Sequence, residues 1–256
     1  MSDLWYTVDG PAGAPALVLG NSLGTTVAMW EPQLPALTER FRVVRYDHRG
    51  HGGSPVPDGP YSLAELGGDV LTLLDSLGLA RVHLGGLSLG GMVAMWVAAH
   101  APERVDRLTL LCTSARLGPP EMWARRAETV LSHGVEAIAD VIVGRWFTPA
   151  FAAASPEVVV WARKLLTGTP ASGYAACCGA VQTMDLVPAL GSITAPTLVI
   201  AGAEDPATPP EHARAIAAGI SGARLEIVPA AAHLANVEQP EAVTRLLLDF
   251  LGGETQ

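Results

Sequence analysis

Residues Val82 to Pro102 read VHLGGLSLGGMVAMWVAAHAP. An apolar β-like run meets an apolar helix-like run, and glycines and one serine, Ser88, mark the junction. Ordinary packing has no need of such glycine density. A strand–turn–helix that holds a serine hydroxyl in a strained, exposed position does need it. Side chains at Gly86 and Gly90 would crowd so tight a turn. A serine at that point also begins a helix, whose N-terminal N–H groups favour developing negative charge. The spacing G-x-S-x-G also arises by chance in glycine-rich chains, where Ser88 would be a plain helix N-cap. What the rest of the chain supplies therefore decides the reading.

Outward from this junction, short apolar runs alternate with longer helical patterns. Strand candidates are Ala16–Asn21, Phe41–Asp47, Arg81–Gly86, Arg107–Cys112, Pro196–Gly202 and Arg224–Pro229. Several are apolar on both faces, as parallel strands covered by helices on two sides must be. Among the helices between them, SLAELGGDVLTLLDSLG opens with Ser62 and Glu65 at capping-box spacing. PPEHARAIAAGI and QPEAVTRLLLDFLG carry proline near the helix start. The rhythm predicts an α/β fold with a mostly parallel central sheet and helices on both faces. It breaks between about residues 116 and 190, where no good strand appears but four helical segments do, EMWARR, GVEAIADVIVGRWF, SPEVVVWARKLL and TPASGYAACCGAV. The expected organisation is a core of residues 1–115 and 191–256, with 116–190 inserted as a helical lid.

The chain has 256 residues, 49% of them hydrophobic, enough for one large domain with a substantial core. Its net charge of −9 disfavours nucleic acid as a partner. Only Lys164 among the 16 basic residues is a lysine, a skew that fits GC-rich coding. Cys112, Cys177 and Cys178 form neither a disulfide framework nor a spaced zinc site. The opening MSDLWYTVDG lacks the basic and apolar regions of a secretory signal. No apolar run reaches the roughly 18–20 residues of a membrane span. A cytoplasmic location without membrane attachment is expected, and association into a homo-oligomer is left open.

A serine hydroxyl is a weak nucleophile and needs a base held by an acid. His233 lies in PAAAHLANVEQP, a loop between a predicted strand and the last helix. Asp205 lies in AGAEDPATPP, just past another strand end. Both sit with Ser88 at the carboxyl ends of parallel strands, where ligands bind in open α/β sheets. Glu204 is a rival acid, and Asp185 in TMDLVPAL is another, better suited to bracing the insertion. His48 and His51 in YDHRGHGGS read as turn residues, His83 and His100 as structural, His133 as part of the insertion and His212 as exposed on a helix. A reaction through an oxyanion also needs N–H donors. Leu89, directly after the serine, is one, and Leu23 in VLGNSLGTT is the nominated second, unless that stretch is an ordinary Asn-Ser turn.

Taken together, LGNSLGT, YDHRGHGGS, GLSLGGMVA, PTLVIAGAEDPATPP and AAHLANVEQP resemble the α/β-hydrolase family, on both sides of the insertion. Ser88, Asp205 and His233 follow one another in that family's Ser-acid-His order. Within the family the wording is most similar to the 3-oxoadipate enol-lactone hydrolases of the β-ketoadipate pathway of aromatic-acid catabolism. NSLGT stands where many relatives have a His-Gly pair, and SGYAACCGAV in the insertion is similar too. The resemblance implies an α/β-hydrolase fold and a carboxylic-ester hydrolase that takes a small lactone or ester. Ser88 would be its nucleophile, His233 its base and Asp205 the orienter of that base, with no metal and no organic cofactor. A serine in the elbow speaks against the dehalogenase and epoxide-hydrolase relatives, which the resemblance would give an aspartate there. A general esterase or cofactor-free perhydrolase of the same fold is the alternative, and a non-catalytic ligand receptor a more distant one. A carboxylated substrate wants a cation. Arg49, Arg125, Arg126, Arg145 and Lys164 are candidates, Arg145 in GRWF first, with Trp123 and Trp146 as candidate pocket walls.

Overall fold

The computed structural model describes residues 4–253. Seven strands form one sheet: β1 (Tyr6–Asp9), β2 (Ala16–Gly20), β3 (Arg42–Tyr46), β4 (Val82–Leu87), β5 (Val105–Leu111), β6 (Thr197–Gly202) and β7 (Arg224–Val228). Their order is β1-β3-β2-β4-β5-β6-β7. All neighbours are parallel except β1, which pairs antiparallel to β3 with Tyr6 opposite Tyr46. Every residue of β4 and of β6 is buried. Strands buried on both faces need helices on both sides, which is why these runs are continuously apolar. The predicted strands agree with β2 to β7 to within one or two residues. The edge strand β1 was not anticipated: its four residues are all exposed or half-buried, so no apolar signal marks it.

The helix Leu89–His100 follows β4 directly and packs on β2, β4, β5 and the helix Leu63–Ser76. It is buried nearly all round, from Leu89 to Ala98 except Trp96. Such a helix shows little amphipathic periodicity and belongs inside a layered domain. The helix Leu63–Ser76 starts with the anticipated capping box. The Glu65 N–H donates to the Ser62 hydroxyl at 3.2 Å, and the Ser62 N–H to the Glu65 carboxylate at 2.8 Å.

Between the end of β5 at Leu111 and the start of β6 at Thr197 there is no strand among the described residues. This helical excursion contains Pro120–His133, Ala139–Val143, Pro149–Ala154, Pro156–Thr167 and Ala171–Thr183. Two details differ from expectation. GVEAIADVIVGRWF is not one helix but a 3-10 turn, Val135–Ile138, followed by the short Ala139–Val143. Pro149–Ala154, capped by the Thr148 hydroxyl on the Phe151 N–H, was not foreseen. The helices Pro120–His133 and Ala171–Thr183 pack on each other. No helix among the described residues is long and apolar enough to cross a membrane. The expected core boundaries at residues 1 and 256 lie outside the described residues.

Candidate active site

β4 ends at Leu87, and Ser88 turns the chain with φ 56° and ψ −115°. A non-glycine residue in this conformation stores roughly 1–3 kcal/mol of strain, which the surroundings must hold in place. They do so through the backbone. The Ser88 N–H donates to the Leu111 carbonyl at 2.9 Å, and the Ser88 carbonyl accepts from the Met92 N–H at 3.0 Å and the Thr113 hydroxyl at 2.7 Å. A Cβ on Gly86 would stand 2.2 Å from the Gly90 carbonyl carbon, and one on Gly90 would stand 2.3 Å from that of Gly20. The glycines are therefore required by backbone approach.

The loop after β2 closes over this elbow. The Asn21 carbonyl accepts from the Gly90 N–H at 2.9 Å, and His48 Nε2 lies 3.0 Å from the same oxygen. His51 Nε2 accepts the Gly24 N–H at 2.9 Å. Asp47 takes the Val27 N–H on Oδ1 and the Gly53 N–H on Oδ2. His48 and His51 are thus fully buried braces for the Asn21–Thr25 loop, not just turn residues. Burial pushes the imidazole of His51 down to about 4; it pushes that of His48 down to about 3, with neighbouring His51 adding to the effect. Both rings are neutral at neutral pH, as the acceptor role of His51 requires. Among the described residues the N–H groups of Leu23 and Leu89 donate to no protein acceptor. Two braced, idle donors next to a strained serine are what a developing oxyanion needs.

Asp205 follows β6 and is buried, whereas Glu204 is exposed. Asp205 Oδ1 accepts the Ala207 and Thr208 N–H groups at 2.8 and 3.0 Å, and Oδ2 accepts the Thr208 hydroxyl at 2.7 Å. The remaining partner of Oδ2 is His233 Nδ1, at 2.8 Å. Burial pushes the Asp205 carboxyl up, but His233 and the Thr208 donors outweigh it and hold the group below its ordinary value. A charged Asp205 keeps the His233 proton on Nδ1 and leaves Nε2 as the basic nitrogen. The His233 loop is clamped from outside as well. Buried Glu238 accepts the Ala232 N–H on one oxygen and the Thr148 N–H and hydroxyl on the other. The Leu234 N–H donates to the Trp146 carbonyl at 2.9 Å.

Ser88 and His233 open onto one cavity of about 260 Å³. Leu23, Trp123, Arg145 and Trp146 also line it, as do Tyr174 and Arg126. Asp205 lies behind His233, and Leu89 contributes its backbone at the start of the helix, not a wall. Arg49 is engaged elsewhere, with two 2.5 Å contacts to the Asp69 carboxylate, and Arg125 and Lys164 are not lining residues. Asp185 pairs with Arg116 at 3.5 Å, far in role from His233. His212 departs from expectation: it is half-buried, lines the cavity and has Nδ1 2.8 Å from the Ser114 hydroxyl. The helix Pro210–Gly219 begins at the cavity, so its first turn is not free surface. Thr208 and Glu238 were missed. The Asp–Thr spacing in DPATPP is a legible turn signal for the first. Nothing in the sequence marks the second as buried.

A strained serine on a strand–helix elbow, an acid-backed histidine and paired N–H donors, all at the carboxyl edge of a parallel sheet, define the α/β-hydrolase class of architecture. The chain belongs to that family: the sequence profile described as "alpha/beta hydrolase fold" matches residues 15–240. Over 237 residues it is 41% identical to 3-oxoadipate enol-lactonase 2 of Acinetobacter baylyi, covering 93% of this chain and 88% of that protein. The crystal structure of the enol-lactonase from Burkholderia xenovorans superposes with a TM-score of 0.96 at 42% identity, covering 98% of this chain and 96% of the other. RutD of Variovorax paradoxus, provisionally designated a carbamate hydrolase, is 34% identical over 262 residues, 97% of this chain and 96% of its own.

Proposed function

We propose that this protein is a serine hydrolase that opens a small carboxylated enol-lactone, converting 3-oxoadipate enol-lactone and water to 3-oxoadipate in cytoplasmic aromatic-acid catabolism. The observation that carries the reading is the single cavity shared by Ser88 and by a His233 whose Nδ1 is held by Asp205 at 2.8 Å. Similarity to two enol-lactonases supports the choice of substrate. Ser88 Oγ attacks the ring carbonyl while His233 Nε2 takes its proton. The tetrahedral oxyanion rests on the Leu23 and Leu89 N–H groups. The ring C–O bond breaks, and the enol oxygen leaves with the proton from His233. The enol tautomerises to the ketone. A water deprotonated by His233 then cleaves the acyl-enzyme to a carboxylate and frees Ser88. In this reading the excursion, residues 116–190, is the lid over the substrate, with Trp123 and Trp146 as its apolar wall.

Similarity to RutD favours, as the second reading, hydrolysis of a carbamate by the same three residues. Turnover of 3-oxoadipate enol-lactone beside p-nitrophenyl acetate and a simple carbamate separates the readings. Fast lactone loss with slow turnover of the other two is expected. Replacing Ser88→Ala should lower kcat by roughly four to six powers of ten. A lactone left intact beside a rapidly cleaved acetate or carbamate would overturn the substrate assignment.

A further inference from the structure

The cavity contains a cation that the chemistry above does not use. Arg126, on the helix Pro120–His133, is half-buried and lines the cavity with Ser88 and His233. Its guanidinium lies over the Trp123 ring, 4.3 Å from the centroid. Trp123 is itself fixed, buried and donating its indole N–H to the Leu117 carbonyl at 2.9 Å. Buried Tyr174, on the facing helix, also lines the cavity and lies close enough to feel the charge of Arg126. The Trp123 ring therefore restricts the guanidinium before any ligand arrives.

A half-buried cation calls for a counter-charge. Two other arginines of the excursion have one: Arg116 pairs with Asp185, and Arg163 with Glu136 and Asp140. Among the described residues Arg126 belongs to no ion pair, and the cavity lining contains no aspartate or glutamate. Asp205, behind His233, is committed to His233 and Thr208. Arg145 also lines the cavity and is unpaired among the described residues, but it is exposed, where water screens its charge.

We infer that Arg126 is the residue that recognises the free carboxylate of the substrate, making the site selective for acyl compounds that carry a carboxylate a few atoms from the scissile carbonyl. The planar guanidinium fork suits a carboxylate, and the ring beneath it sets its plane. This inference rests on the hydrolase reading of Ser88 and sharpens its substrate class.

The test is steady-state kinetics on two matched pairs: 3-oxoadipate enol-lactone with its methyl ester, and p-nitrophenyl hemisuccinate with p-nitrophenyl butyrate. Arg126→Gln is expected to raise KM for the carboxylated member of each pair by about 10- to 100-fold. The change for the neutral member should be at least five-fold smaller. Arg126→Lys should recover part of the loss, and Arg125→Gln, on the same helix but outside the cavity lining, should alter neither pair. Competitive inhibition by succinate should weaken at least ten-fold in Arg126→Gln. Equal changes in both members of a pair would overturn the inference, as would a selective loss in Arg145→Gln but not in Arg126→Gln. A wild type that spares the lactone yet separates hemisuccinate from butyrate through Arg126 retains the inference and sinks the lactonase assignment. Lactone opened equally well by wild type and Arg126→Gln does the reverse. Should no substrate turn over, calorimetric binding of succinate to both proteins decides, and equal affinities refute the role.

Discussion

The elbow and the excursion both line one cavity, and they are built by different means. At the elbow, backbone packs on backbone: Gly86 on Gly90, and Gly90 on Gly20. A hydrogen bond to the Leu111 carbonyl and two from Met92 and Thr113 hold the Ser88 backbone in place. In the excursion, side chains pack on side chains: Arg126 on Trp123, and Phe147 stacked on Phe151 with centroids 5.2 Å apart. Backbone contact tolerates almost no substitution, while side-chain contact can be re-cut residue by residue. In the proposed reading the bond-breaking chemistry belongs to the carboxyl ends of the strands, and the choice of substrate to the helices of the excursion.

This contrast can be broken at several points. The largest effect is expected from Asp205→Asn, which takes the charge from the carboxylate that holds His233. It should lower kcat on the order of 10,000-fold for lactone and neutral ester alike. A loss confined to one substrate would place Asp205 in recognition instead. Next comes Gly90→Ala, whose methyl would meet the Gly20 backbone; a loss of about 3 kcal/mol or more in urea unfolding is expected. Gly191→Ala, at the end of the excursion, has nothing within 4 Å of its new methyl and should change stability by less than about 0.5 kcal/mol. Similar losses in the two variants would erase the distinction drawn here.

A smaller effect than that of Gly90→Ala concerns acid. His51 has its folded pKa pushed down to about 4 by burial, from an ordinary 6.5. Between those values the unfolded chain binds the proton and the folded chain does not. Stability is therefore full above pH 6.5 and falls progressively as pH drops toward 4. From pH 6.5 to 5 the share of this one ring is about 1.6 kcal/mol. His51→Gln should flatten the stability-against-pH curve by that amount. An unchanged slope would mean that the ring is not the neutral brace on Gly24 described above.

The two walls were also unequally legible. Glycine spacing around Ser88 has a steric cause, so the elbow could be read from GLSLG and its flanking apolar runs. Asp205 and His233 announced themselves by following strand ends, and Asp205 could be preferred to Glu204 only through the resemblance of AGAEDPATPP to the family until burial separated them. Periodicity marked the helices of the excursion but not which side of each faces the cavity. Arg126 and Arg145 both line it, and the same gap in the pattern of Pro210–Gly219 hides that His212 lies half-buried against Ser114. His48 and His51 were legible as a turn, but not as braces, because their partners are backbone groups of a loop some 27 residues earlier. Glu238 is hidden for the same reason: its contacts with Thr148 and Ala232 join segments that only the fold brings together.

The central claim is that one serine, activated by one acid-backed histidine, carries the reaction. It is tested most directly by treating the protein with a fluorophosphonate and locating the adduct by peptide mass spectrometry. A single phosphonylated residue at Ser88 is expected, absent in Ser88→Ala and formed far more slowly in His233→Ala. An adduct on any other residue, or equal labelling of wild type and His233→Ala, would contradict the account.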